Sequence, residues 1–258
     1  MALALCGLMV TLCAAALAAG PLAYETGIST VNKLTHELCD VLDPGVRRTL
    51  HPQPLFLEQV TQPYLQSYTL VDKDRSLRLV VVSSGFVDFL TYLTHAEAIE
   101  LTEHGFLQRY LNQFAESNEA NPVPKLSLTS RHWGFNTMNW QMSRFNQTAG
   151  ALVAIGLAHH YLGHYQKYAS RLVDANNHAI PIATVMTPAE WREAVLKGAR
   201  NALDCGLALD GLKGFYNDLS KMPVRPSWSY CFLPKDVKLE AIRKDLDRLE
   251  GTFFLTGP

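Results

Sequence analysis

The sequence predicts a mainly helical α+β protein with a small β-sheet near its start. Apolar residues recur at helical spacing in three long segments, 28–42, 86–100 and 237–249. Two apolar stretches, 68–71 and 77–82, flank the polar sequence Asp72-Lys73-Asp74-Arg75 and predict a β-hairpin. A run of small and apolar residues that begins at Thr148 predicts a buried central helix. These observations favour helices that pack around a central helix and beside a sheet.

The other segments are assigned from prolines, from the alternation of apolar and polar residues, and from helix-capping residues. The proline-rich stretch 52–63 is expected to wrap the surface, and 106–114 to form a short helix. Alternating apolar and polar residues at 125–131 predict a strand with one exposed face. Thr187-Pro188-Ala189-Glu190 combines an N-cap, a first-turn proline and an acidic third position, so a helix is expected to start there. A further amphipathic helix is expected at 211–222.

Length and composition indicate one folded domain. The chain has 258 residues, of which 48% are hydrophobic and 18% charged, so residues 20–258 can form a single domain with a sizeable core. The formal net charge of −1 gives no general attraction to nucleic acid or to anionic membranes.

The N-terminal segment Met1 to Ala19 resembles a secretory signal peptide. It is apolar, offers the small-x-small sequence Ala16-Leu17-Ala18, and is followed by Gly20-Pro21. The expected location is therefore periplasmic or extracellular. No basic residue precedes Lys33, which is unusual for a signal peptide. Two alternative interpretations of this segment are therefore an uncleaved membrane anchor and a buried core helix. Such an anchor would be the chain's membrane contact.

Three cysteines follow this segment: Cys39, Cys205 and Cys231. Three cysteines allow at most one internal disulfide, so the chain is not a disulfide scaffold. The sequence has no CxxC pair, which leaves no indication of a thiolate zinc site.

Three histidines lie within six residues at the end of the central helix: His159, His160 and His164. His160 and His164 are four residues apart, so on one helix they would share a face and could hold Zn²⁺. His159 lies about 100° round the helix from His160, and it would join them only if the helix distorts.

The sequence does not identify the third ligand or the general base of such a metal site. The third ligand could be Asp204, His178 or Glu190. No acidic residue lies between Thr148 and Tyr165, so this helix supplies no general base, and the catalytic residues are unassigned. A purely structural role, in which the histidines cap helix carbonyls, is the alternative.

An aromatic segment, 132–146, precedes the central helix. Its side chains either pack the approach to that helix or line a substrate cleft through Trp133, Trp140 and Phe145. Trp133 and Trp140 are the candidate substrate-binding residues.

Four pieces of the chain, in order, resemble gluzincin zinc metallopeptidases of the CAAX-prenyl-protease and membrane heat-shock-protease type. The pieces are Val82 to Leu90, Gly150 to His164 (GALVAIGLAHHYLGH), Arg200 to Leu207 (RNALDCGL), and Pro234 through Ile242 to Leu246. The third piece resembles the family motif from Asp204 onward. The resemblance implies a zincin-like core, a Zn²⁺ cofactor, and a peptide or protein as substrate or partner.

The departures from this family fall on its catalytic residues. In the register of the resemblance, Ile155 replaces the first zinc histidine, Gly156 the general-base glutamate and Arg200 the third ligand, whereas His159 and Asp204 remain. The expected function is therefore that of an exported zinc-metallopeptidase-like protein whose degenerate motif impairs or alters peptide-bond hydrolysis. The alternative is a non-catalytic pseudo-enzyme that binds a peptide or partner without metal.

Overall fold

A computed structural model describes residues 25–72, 75–172 and 180–256 of the chain. The predicted fold class is confirmed: the protein is α+β and mainly helical, with a three-stranded sheet early in the chain. The predicted signal peptide and His178 lie outside the described residues. Across the described ranges, no helix is long and apolar enough to cross a membrane.

Two helices come first in the described chain, the three strands follow, and the remaining helices come after them. The helices are α1 Glu25–Asp40, α2 Pro44–Arg47, α3 Ser84–Glu100, α4 Phe106–Asn112, α5 Phe135–Tyr161, α6 His164–Tyr168, α7 Pro188–Asp204, α8 Asp210–Lys221 and α9 Leu239–Thr256. The strands are β1 Leu50–Glu58, β2 Leu65–Asp72 and β3 Arg75–Ser83. Short 3₁₀ turns occupy Gln113–Glu116, Ser130–Trp133, Ala169–Arg171, Ile182–Thr184 and Ser227–Cys231.

The sheet has the strand order β1-β3-β2. β2 and β3 form the predicted antiparallel pair, in which Asp72 at the end of β2 is paired with Arg75 at the start of β3. β1 runs parallel to β3 on the other side. The chain passes directly from β3 into α3, because the Ser83 hydroxyl accepts a hydrogen bond from the Phe86 amide and caps the helix.

One local assignment from the sequence is wrong, and another missed a strand. The stretch expected to wrap the surface is largely exposed, but it contains most of β1, an edge strand that carries Pro52 and Pro54. An edge strand tolerates proline because one side of its backbone needs no partner in the sheet. The strand expected at 125–131 is irregular chain that leads into the turn Ser130–Trp133, because the described sheet ends at β1 and β2.

The central helix α5 is longer than predicted and passes through the middle of the core. Its 27 residues include much of the aromatic segment, and residues 148–160 are all buried. It packs against α1, α3, α7 and α8 and against the sheet. The crossing with α7 is close, since a Cβ built on Gly198 would lie 2.5 Å from the backbone nitrogen of Ile155.

The three cysteines of the described chain are free thiols. Cys39 is buried, and Cys205 and Cys231 are half-buried. The fold is therefore held by packing and hydrogen bonds rather than by a disulfide among these residues.

Candidate functional site

Gly163 separates the two histidines that were expected to share a helical face. Helix α5 ends at Tyr161, Gly163 adopts a left-handed φ of 72°, and α6 begins at His164. Glycine takes this conformation without the steric cost that other residues meet, and it commonly ends helices. The predicted pairing of His160 with His164 on one helical face is therefore wrong.

The change of direction brings His164 against His159 instead. Their Nδ1 atoms lie 3.2 Å apart, and both residues are buried. One ring donates an N–H and the other accepts it. Burial and the neighbouring imidazoles lower the pKa of His159 to about 3, and burial lowers the pKa of His164. Both rings are therefore neutral at physiological pH, the state in which imidazole can also bind a metal.

The Nδ1 separation also suits a metal ion. Two nitrogens bound to one tetrahedral Zn²⁺ at about 2.0–2.1 Å lie roughly 3.3 Å apart. His159 and His164 could thus supply two ligands to one ion, at the cost of their mutual hydrogen bond.

His160 is turned toward the sheet. Its Nε2 donates to the carbonyl oxygen of Leu79 in β3 at 2.8 Å, and the Arg78 guanidinium donates to the carbonyl of His160. Burial lowers the pKa of His160 to about 4. Its Nδ1 is buried and has no hydrogen-bond partner among the described residues. His160 therefore links the end of α5 to the sheet by hydrogen bonds. Its Nδ1 makes no hydrogen bond with His159 or His164.

The proposed third ligands have other partners. Asp204 accepts from Arg200, with Nε to Oδ1 at 3.0 Å, at the end of α7. Glu190 closes the capping box with Thr187 and also accepts from Lys167 and Tyr168, and these contacts hold its pKa well below the ordinary value.

The predicted metal set of His159, His160, His164 and Asp204 is therefore not assembled. Within 25–72, 75–172 and 180–256, no group of three or more His, Cys, Asp or Glu side chains could hold a metal ion. The described residues fit Zn²⁺ through two nitrogens and do not fit the three-ligand centre that the resemblance implies.

A small cavity adjoins His159. Its volume is about 30 Å³, enough for about one water molecule. Ile155, Gly156 and His159 of α5 line it, together with Trp191 of α7 and Tyr216 of α8. The three positions that the resemblance assigns to the catalytic helix thus face one cavity. No carboxylate of the described chain lines it, and Arg200 stacks on Phe253 instead, 4.7 Å from the ring.

The three aromatic residues proposed for a substrate cleft differ in exposure and in their neighbours. Trp133 ends the turn Ser130–Trp133 and is 46% exposed. Trp140 is half-buried under the Arg144 guanidinium, which lies 4.8 Å from its ring. Phe145 is buried in the core. Of the three, Trp133 offers the most accessible ring.

A polar cleft includes His132, the residue that precedes Trp133 in the chain, and no sequence motif indicated it. Its volume is about 280 Å³, and its lining residues are Ile99, Thr102, Glu103, Arg131, His132 and Thr137. Glu103 accepts from Arg109 and from Arg131, each at 2.5 Å, and lies 3.5 Å from Nε2 of His132. Glu103 and Arg131 are 28 residues apart and belong to no motif, so only the folded chain unites them.

Comparisons with models of protein families, with curated protein sequences and with solved structures return no match to this chain.

Proposed function

We propose that this chain is an exported, non-catalytic protein that binds a peptide or a protein partner at the cleft beside Trp133, on a metallopeptidase-like scaffold. The observation that carries this proposal is the contrast between the two sites. The cavity that contains Gly156 and His159 is small and apolar in its surroundings, whereas the cleft at Glu103 is larger and polar.

Hydrolysis at the histidine cluster would need groups that this cavity lacks. Metal-assisted peptide hydrolysis requires an ion with an open position and a base that takes the proton of water. Gly156 stands where the resemblance puts that base. A Cβ built on Gly156 would lie 2.8 Å from the Leu65 side chain, so a larger residue would displace its neighbours. Gly156 supplies no base, and a glutamate at this position would require the Leu65 side chain to move.

The cleft at Glu103 contains Arg131, and Trp133 follows its lining residue His132 in sequence. Arg and Trp are enriched where proteins bind peptides and other proteins, and apolar side chains at the edge add contact area. Leu101, which is 57% exposed, precedes the cleft residue Thr102. A polar centre with apolar neighbours suits a short peptide segment.

The test is selection from a library of capped random peptides, followed by affinity measurement on the purified chain. We expect selected peptides to bind the wild type and to lose at least tenfold in affinity with Trp133→Ala. Phe254→Ala is the matched control, because Phe254 is 72% exposed on α9 and distant in sequence from the cleft. Equal loss in both variants, or no selected peptide at all, would count against the proposal.

The second candidate function is that of a zinc-metallopeptidase-like enzyme with an altered site. The His159–His164 nitrogen spacing of 3.2 Å favours it. Under this candidate, purified protein carries stoichiometric zinc that is lost in a His159→Ala, His164→Ala double variant. The zinc is kept in the control His36→Ala, because His36 is exposed on α1. Peptide hydrolysis that disappears with the same double variant would replace the binding proposal by this one.

A further inference from the structure

The first turns of α5 present an exposed apolar stripe. Phe135 is 79% exposed, Met142 is 57% exposed, and Met138 between them is half-buried. Spacings of three and four residues place these side chains on one face of the helix, and together they form the α5 stripe. Residues 135–143 contain no Asp, Glu, Lys or Arg, so the helix carries no charged side chain beside the stripe.

The stripe continues into a part of α5 that α1 covers. A Cβ built on Gly27 would lie 3.5 Å from Cζ of Phe145, which is buried one turn beyond the stripe. A Cβ built on Gly150 would lie 3.9 Å from Cδ2 of Leu34. The contacts on α5 thus advance toward its end as α1 proceeds, so the two helices run in the same direction. The chain that precedes α1 therefore arrives from the side of the stripe.

The sequence before α1 has the length and composition that a bilayer accommodates. Nineteen uncharged and mostly apolar residues, Met1 to Ala19, are followed by residues 20–24 and then by α1. A segment of about 20 apolar residues spans the hydrocarbon core of a membrane. The α5 stripe is only about 10 Å long, so it could cover about one third of such a segment if that segment were helical. A bilayer takes up the whole segment, which favours lipid over the protein surface as its surroundings.

The short connection holds a bilayer close to the stripe. Five residues, 20–24, separate Ala19 from α1, and an extended chain of that length spans at most roughly 17 Å. Lipid that surrounds Met1 to Ala19 therefore lies near the start of α1, on the side where the stripe is exposed. A covalent tether also raises the effective concentration of lipid at the stripe, so a small apolar surface is enough for contact.

We propose that Met1 to Ala19 remain as a membrane anchor and that the α5 stripe contacts the lipid surface, with Phe135 and Met142 among the head groups. This inference goes beyond the proposed function and does not depend on peptide binding. Thr137, which lines the polar cleft, lies about 200° round α5 from Phe135. The cleft and the stripe are therefore on different faces of α5, and lipid contact leaves the cleft open to water.

The experiment replaces Phe135 by the photoreactive p-benzoylphenylalanine in the full chain, reconstituted in vesicles of equimolar phosphatidylethanolamine and phosphatidylglycerol. After illumination, mass spectrometry identifies the molecule attached at this position. We expect phospholipid, in about fivefold or greater excess over the same probe in place of Phe254. Phe254 is the matched control, because it is 72% exposed on α9, a helix that packs against α7 and α8.

A second probe in place of Met142 should also attach to phospholipid, and neither replacement disturbs the core, because both side chains are exposed. Lipid at neither position, or equal amounts at the stripe and at Phe254, would overturn the contact. An attached peptide from residues 1–24 would show that this segment covers the stripe itself, and one from a second copy would show an interface between chains. Either result would replace lipid as the occupant. An N-terminus at or after Gly20 in the mature protein, read by sequencing, would overturn the anchor and leave the proposed function standing.

Discussion

At the scale of single residues, a buried pair of acids between α3 and α8 requires a proton. Glu97 and Asp218 are 7% and 2% exposed, and their carboxyl groups hydrogen-bond each other. The cations nearby are Arg144 of α5, with Nε 3.2 Å from Glu97, and Lys221, 3.8 Å from Asp218. Burial and the Asp218 carboxylate raise the pKa of Glu97 to about 9, so Glu97 is protonated at neutral pH.

This proton makes stability depend on pH. Between the ordinary Glu97 pKa of 4.5 and its folded value of about 9, the folded chain holds a proton that the unfolded chain releases. Stability from this group is therefore full below pH 4.5 and is lost as pH rises, by up to about 1.4 kcal/mol per pH unit. We expect Glu97→Gln to unfold at higher urea concentration than the wild type at pH 8.5, and at similar concentration at pH 5.

The control for this comparison is Glu240→Gln, since the Glu240 side chain is 74% exposed on α9. It should follow the wild type at both pH values. Parallel pH dependence of the wild type and Glu97→Gln in urea unfolding would show that Glu97 ionises normally in the fold.

The sequence identified the three histidines but not their pairing. Gly163 could either continue a helix or end it, and its φ of 72° decides that His164 meets His159 rather than His160. Nothing local to the sequence determines this angle, because it depends on how the following residues pack. Residue types at the candidate site were predictable, and their contacts were not.

At the scale of elements, the crossing of α5 and α7 depends on the absence of a side chain at Gly198. A Cβ there would lie 2.5 Å from the nitrogen and 2.6 Å from the Cα of Ile155, both backbone atoms that cannot rotate away. We expect Gly198→Ala to lower the free energy of unfolding by about 1–3 kcal/mol through overpacking, despite the better helix propensity of alanine.

The matched control is Gly251→Ala in α9, where a Cβ would meet nothing within 4 Å. Without a clash, alanine should stabilise that helix by about 0.5–1 kcal/mol. Urea unfolding of both variants measures the contrast. A Gly198→Ala protein as stable as the wild type would mean that the two helices can move apart at no cost.

Elements whose signals are local were predicted well, and those that depend on distant partners were not. The hairpin and the Thr187 helix start follow from turn and capping residues. β1 is a strand because β3 lies beside it, and 125–131 is not a strand because the described sheet offers it no partner. Alternation of side chains alone cannot tell these two cases apart.

At the scale of the whole molecule, the fold brings together three distant segments at the polar cleft. Glu103 follows α3, His132 lies in the turn Ser130–Trp133, and Thr137 is in the first turns of α5. The central helix thus reaches the cleft at its start and the histidine pair at its end. The sequence suggested Trp133 as a binding residue, but the charged groups beside it become neighbours only through the packing of α3 against α5.

The shifted pKa values of His159, His160 and Glu97 together predict the pH of maximum stability. His159 and His160 have pKa values lowered to about 3 and about 4 from 6.5, so the unfolded chain binds more protons between about pH 4 and 6.5. Stability from both rings is complete above pH 6.5 and is lost as pH falls, by up to about 2.7 kcal/mol per unit. The contribution of Glu97 has the opposite sign, because its stabilisation is lost as pH rises, with half the slope of the two histidines. Above pH 6.5 the Glu97 contribution dominates the pH dependence of stability.

We therefore expect the free energy of unfolding to rise from pH 4.5 to about pH 6.5 and to decline toward pH 9. Urea unfolding at half-unit pH intervals measures this profile. Glu97→Gln should flatten the alkaline side and leave the acidic side steep, because the histidines are unchanged. A wild-type profile that climbs steadily to pH 9 would mean that the Glu97–Asp218 pair does not hold its proton. A flat acidic side would mean that the histidines are not buried as neutral rings.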